Sequence, residues 1–119
     1  MAVCEEGVER ARQTYAVGEH RVARKVELRT LGSDFGANGY ATLAEVNELA
    51  GMLGLGPGRR LLDVGCGQGW PGLYLARQTG CHVVLTDVPV EGLATAARRA
   101  GREGLGDRAW PLAARGQAL

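Results

Sequence analysis

Residues 60–75 read R-L-L-D-V-G-C-G-Q-G-W-P-G-L-Y-L. Leu61, Leu62 and Val64 form a short apolar run of strand type, Gly65, Gly67 and Gly69 alternate after it, and a helical pattern starts beyond Trp70 and Pro71. Glycine inside a strand or helix costs about 0.5–1 kcal/mol relative to alanine, so three alternate glycines suit a turn. Such a turn adopts positive φ, or lets a ligand approach a backbone that has no Cβ. The helix after the turn presents free N–H groups and a partial positive charge at its start, and Pro71 is well suited to its first position. The order is therefore strand, glycine loop, helix.

The segment D-V-G-C-G-Q-G, Asp63 to Gly69, resembles the first motif of class I S-adenosylmethionine-dependent methyltransferases: an acid, then three glycines at alternate positions. With W-P-G-L-Y-L-A following, it resembles a bacterial small-molecule branch of that family. A second reading competes with it. Gly67 to Gly72 spells G-x-G-x-x-G, and Asp87 follows at the distance of a ribose-binding acid in a dinucleotide fold, which describes an NAD-type oxidoreductase. Asp63 at the strand end and the additional Gly65 fit the methyltransferase pattern and not the dinucleotide one.

The resemblance implies an α/β, Rossmann-like methyltransferase fold with S-adenosyl-L-methionine as cofactor. It implies that the loop residues Gly65, Cys66, Gly67, Gln68 and Gly69 admit the cofactor and that Asp63 reaches its methionine amine. Asp87 would hold its ribose, with Val88 beside it. Each acid also has a purely structural reading: Asp63 as acceptor for loop N–H groups, Asp87 as N-cap of the next helix.

The 119 residues suffice for one domain with a modest core. We divide them into an N-terminal helical segment, 1–31, and an incomplete cofactor-binding domain, 32–119. Composition is that of an ordinary soluble protein, with 45% hydrophobic and 23% charged residues. A net charge of +1 supplies no electrostatic attraction to nucleic acid or an anionic membrane. No apolar run approaches the roughly 20 residues of a membrane span, and the start M-A-V-C-E-E is acidic where a signal peptide is basic, so a cytoplasmic location is expected. Cys4, Cys66 and Cys81 lack paired spacing, which predicts free thiols and no metal site. Cys66 is read as a small residue filling a tight turn. His20 and His82 have no relay partner in the sequence.

Before the glycine loop, Val8, Ala11 and Tyr15, then Val22 and Val26, recur at helical spacing, which predicts two helices broken near Gly18. Residues 32–40, G-S-D-F-G-A-N-G-Y, read as a loop carrying two aromatics. Phe35 and Tyr40 are candidate lids over the cofactor's sulfonium, with an aromatic plug closing the core as the alternative for either. Thr42 to Leu53 is the clearest helix, opened by a Thr42/Glu45 capping box and lined by Leu43, Val46, Leu49, Ala50 and Leu53. After the loop, a helix Trp70–Thr79, a buried strand Cys81–Thr86 ending at Asp87, and a helix Val90–Glu103 are expected.

Beyond that the pattern weakens. Pro111 lies where a central strand needs an N–H, Arg115 stands where the family has an acid near the adenine, and only two strands are convincing. The resemblance covers about residues 32–108, so the fold is expected to stop after two or three parallel strands, with Trp110 an accident of the tail. Three explanations compete: a truncated or frameshifted product, which the loss of pattern after Arg108 favours, a half completed by a homodimer or another chain, or a small divergent domain. The methyl acceptor is read as a small molecule of unknown identity. No catalytic base is assigned, and a regulatory subunit that retains only the cofactor loop is a further alternative.

Overall fold

The computed structural model describes residues 2–16, 21–31, 35–36 and 41–119; Gly18, His20 and Tyr40 lie outside them, as does most of the 32–40 loop. Two helices open the chain, α1 (Ala2–Ala16) and α2 (Arg21–Leu31). Helix α3 (Leu43–Met52) starts as its sequence predicts: the Thr42 hydroxyl accepts the Glu45 N–H while the Glu45 carboxylate accepts the Thr42 N–H, at 2.8 Å. Its inward face is narrower than the pattern suggests. Val46 is buried and Leu43 and Ala50 are half-buried, but Leu49 and Leu53 are exposed.

Strand β1 (Arg60–Val64), helix α4 (Gly72–Thr79), strand β2 (His82–Asp87), helix α5 (Val90–Arg102) and strand β3 (Ala109–Ala113) complete the fold before a final 3₁₀ turn, Gly116–Ala118. Helix α4 begins at Gly72, two residues later than the expected start at Trp70, with Pro71 as its cap, and ends at Gly80 in the left-handed conformation. The three strands are parallel in the order β1-β2-β3, with Leu61 opposite Val83 and Val83 opposite Ala109.

The third of the two or three expected strands is present at residues 109–113, and Trp110, expected to be an accident of the tail, belongs to it and stacks on His82 with ring centroids 5.1 Å apart. Pro111 is accommodated by register. Val83 N–H bonds to Arg108 C=O and Ala114 N–H to Asp87 C=O, so the even-numbered residues of β3 donate to β2 and the nitrogen of Pro111 points to the open edge.

Strand residues alternate between faces. Val83, Leu85 and Ala109 lie in the core beneath α4 and α5, whereas Leu62, Val64, Trp110 and Leu112 on the other face are exposed. The core continues through Leu73, Leu75, Ala76, Leu93, Ala96 and Leu105.

Candidate functional site

Strand β1 ends at Val64, and the loop beyond it turns on the three glycines, which have φ of +75° (Gly65), +54° (Gly67) and +111° (Gly69). These values are costly for any residue with a Cβ. The loop is pinned to the end of β2: Gly65 N–H and Cys66 N–H both bond to Thr86 C=O, at 2.8 and 3.0 Å. A Cβ on Gly65 would meet nothing within 4 Å, so its backbone is open to approach.

Asp87 sits where the sequence places it, beside the loop, but not as a helix cap. Its Oδ2 accepts the Gly67 N–H at 2.7 Å and its Oδ1 the Val88 N–H at 2.8 Å. Helix α5 is preceded by Pro89 and has no side-chain cap, which corrects the cap reading. Each Asp87 oxygen keeps a further lone pair for a ligand hydroxyl.

Asp63 points from β1 under the start of α4, where Oδ2 accepts the Gly72 N–H at 3.1 Å. Burial pushes its carboxyl up to about 6; the Gly72 N–H opposes that rise and the charge of Asp87 adds to it. Two carboxylates thus face one glycine loop, an arrangement that favours a cationic ligand group.

Cys66 is buried and its thiol is pushed up to about 12, mainly by burial and further by Asp63 and Asp87. It is an inert filler of the turn. Gln68 is buried and held by Arg99 of α5, whose Nη1 donates to the Gln68 C=O at 2.9 Å and to its Oε1 at 3.2 Å. Arg99 is itself buried although it is charged. The sequence reading missed it, and a signal was present: Arg99 falls on the same helical face as Gly92, Leu93, Thr95 and Ala96, where an apolar residue is expected.

Phe35 is fully buried, its ring edge-on to Tyr74 with centroids 5.9 Å apart. Tyr74 in turn donates to Asn47 of α3 at 2.7 Å. This is the environment of the core plug.

Tyr15 was not singled out by the sequence, yet α1 brings its ring over the loop. A Cβ on Gly67 would lie 2.8 Å from the Tyr15 hydroxyl, and a Cβ on Gly92 would lie 3.0 Å from the ring. Burial raises the Tyr15 pKa first, and the charges of Asp87 and Cys66 add to it, so the hydroxyl keeps its proton as a donor.

A strand, a glycine turn closed by an acid at the end of the next parallel strand, and a helix starting at that turn are the parts that the sequence motif required. Comparison with known proteins agrees. Residues 61–118 match the family model of a methyltransferase domain. Those residues belong to the methyltransferase-domain family. The match runs through β3, beyond the limit near residue 108 that the sequence suggested, and it decides against the dinucleotide reading of the loop.

Among relatives of this methyltransferase domain, methyltransferase GfsG of Streptomyces halstedii is 42% identical over 71 residues, covering 56% of this chain and 26% of that protein. A sterol 24-C-methyltransferase of Gibberella zeae is 38% identical over 60 residues, covering 50% of this chain and 16% of that protein. A solved S-adenosylmethionine-dependent methyltransferase from Geobacter sulfurreducens, in complex with S-adenosyl-L-homocysteine, superposes with a TM-score of 0.55 at 32% identity, over 61% of this chain and 29% of that one. The chain therefore spans less than a third of the length of each of these three proteins. Its fold is a Rossmann-like methyltransferase fold carried through the first three parallel strands.

Proposed function

We propose that this chain binds S-adenosyl-L-methionine at the Gly65–Gly69 loop and serves methyl transfer to a small-molecule acceptor. The observation that carries the proposal is the Asp87 carboxylate, fixed by two N–H groups at the mouth of a loop whose first glycine leaves open space.

The residues present fit that cofactor. Asp87 retains lone pairs for the two ribose hydroxyls, and the backbone at Gly65, with nothing within 4 Å of where a Cβ would stand, leaves open space for a ligand. Asp63, a half-buried carboxyl whose ionisation is further opposed by Asp87, would be stabilised in its charged form by the ammonium group of a methionine moiety. Cys66 and Gln68 contribute through the loop backbone that they brace, and Val88 flanks the ribose side. When bound, this cofactor supplies an electrophilic methyl group for in-line displacement by the acceptor. The chain's part is to bind, orient and exclude water. We assign no residue as base.

The sterol methyltransferase among the relatives supports a small-molecule acceptor. No helix among the described residues is long and apolar enough to cross a membrane, and we place the chain in the cytoplasm. Tyr40 remains a candidate lid; the burial of Phe35 favours the core plug for that residue.

Calorimetric titration with S-adenosylhomocysteine, with NAD as control, tests the reading. Saturable binding of the first ligand that disappears in Asp87→Ala supports it. A folded chain that binds NAD, or neither ligand, refutes it.

A further inference from the structure

The side of the sheet away from α4 and α5 carries an apolar surface. Strand β2, H-V-V-L-T-D, is apolar on both faces, the pattern of a parallel strand that is covered on both sides. Register sets Leu62, Val84 and Trp110 in one row across the three strands and Val64, Thr86 and Leu112 in the next. Neither row holds a charged side chain, and Leu62, Val64, Trp110 and Leu112 are between 44% and 57% exposed. The indole of Trp110 is already held by its stack on His82, so little of its freedom is left to lose on contact with a partner.

The surface is matched to a copy of itself. Aliphatic side chains stand on β1 at one margin, and the bulky Trp110 stands on β3 at the other. A two-fold axis parallel to the strands lays β1 of one copy over β3 of the other, so each Trp110 meets Leu62 and Val84 meets Val84 at the centre. Large then faces small at both margins, as close packing of two sheets about 10 Å apart requires. An apolar patch that marks an interaction surface measures about 300–600 Å², and two of them face to face reach about 1,000 Å², the lower limit of a specific interface. The net charge of +1 sets no electrostatic barrier between copies.

We propose that this face is the contact surface of a two-fold dimer of the chain, with Trp110 of each copy packed on Leu62 of the other. Both copies use the same patch, so the contact closes at two and does not propagate. The glycine loop lies at the strand ends, outside the paired face, and the inference is therefore independent of the cofactor reading. At the lower limit of interface size, dimer and monomer exchange reversibly, with a dissociation constant in the micromolar range.

Sedimentation equilibrium of the full chain over about 1–300 µM, with Trp110→Ser and Leu62→Glu as variants, tests this. The expected result is a monomer–dimer equilibrium in the wild type, weakened about tenfold or more in each variant. Tryptophan emission should shift to the blue as the dimer forms, since Trp110 leaves water while Trp70 is buried in either state. A wild-type chain that sediments as a monomer throughout overturns the proposal, and the face is then left to a different chain. A dimer that both variants keep at wild-type strength overturns it too, because the contact then lies elsewhere. Should the variants fail to fold by circular dichroism, the wild-type emission decides: dimer formation without a blue shift overturns the proposal.

Discussion

The carboxylate of Asp87 accepts the amide proton of Gly67 at 2.7 Å, joining the end of β2 to the middle of the glycine loop across 20 residues of sequence. The loop and the acid are therefore one unit, and a ligand that meets one meets the other. Asp87→Ala leaves the Gly67 N–H without its acceptor, a loss of about 1–3 kcal/mol in stability. Denaturant unfolding checks the stability, and S-adenosylhomocysteine titration of the still-folded variant should show at least a tenfold loss of affinity, about 1.4 kcal/mol.

Asp63 should make stability depend on pH. Its carboxyl is raised from 3.8 to about 6, so the fold favours the protonated form. That contribution is fully present below about pH 4 and is lost as pH rises through about 6, up to about 3 kcal/mol for a shift of this size. Asp63→Asn keeps an acceptor for the Gly72 N–H and removes the titration. Its stability should lack the wild-type decline between pH 4 and pH 6 and should exceed wild type at pH 8.

The Cys66 thiol, buried and pushed up to about 12, is held in its unreactive form. Iodoacetamide at pH 8, followed by peptide mass spectrometry, should leave Cys66 and the equally buried Cys81 unmodified in the native chain. Both should be alkylated in denaturant.

Arg99 braces Gln68 from a buried position. Arg99→Met fills apolar space but removes both hydrogen bonds to Gln68, and it should cost about 1–3 kcal/mol. Hydrogen exchange should localise the loosening to residues 65–69.

Pro111 leaves the outer edge of β3 without one donor, which discourages pairing with another strand. Pro111→Val restores that N–H on an edge whose exposed face already carries Trp110 and Leu112. Light scattering should detect more self-association than in the wild type.

Local chemistry was legible in the sequence. The capping box at Thr42 and Glu45, the alternate glycines with positive φ, and the apolar run of β2 depend on residues close together in the chain, and each took the form that its sequence dictates. Side-chain interactions over longer distances were not. Asp87 has the composition of a helix cap and became an anchor for the loop, because β1 and β2 pair in a register that brings Gly67 to its carboxylate. Pro111 reads as a strand breaker until the pairing of β3 decides which residues donate to β2 and which face the open edge. Tyr15 and Arg99 carry no motif; their contacts with Gly67 and Gln68 exist only once α1 and α5 pack beside the loop. By itself, then, the sequence determined the strand, loop and helix series and the residue types at its turns. The tertiary structure alone decided which side chains converge on that loop, because convergence depends on strand register and helix packing, which no local propensity encodes.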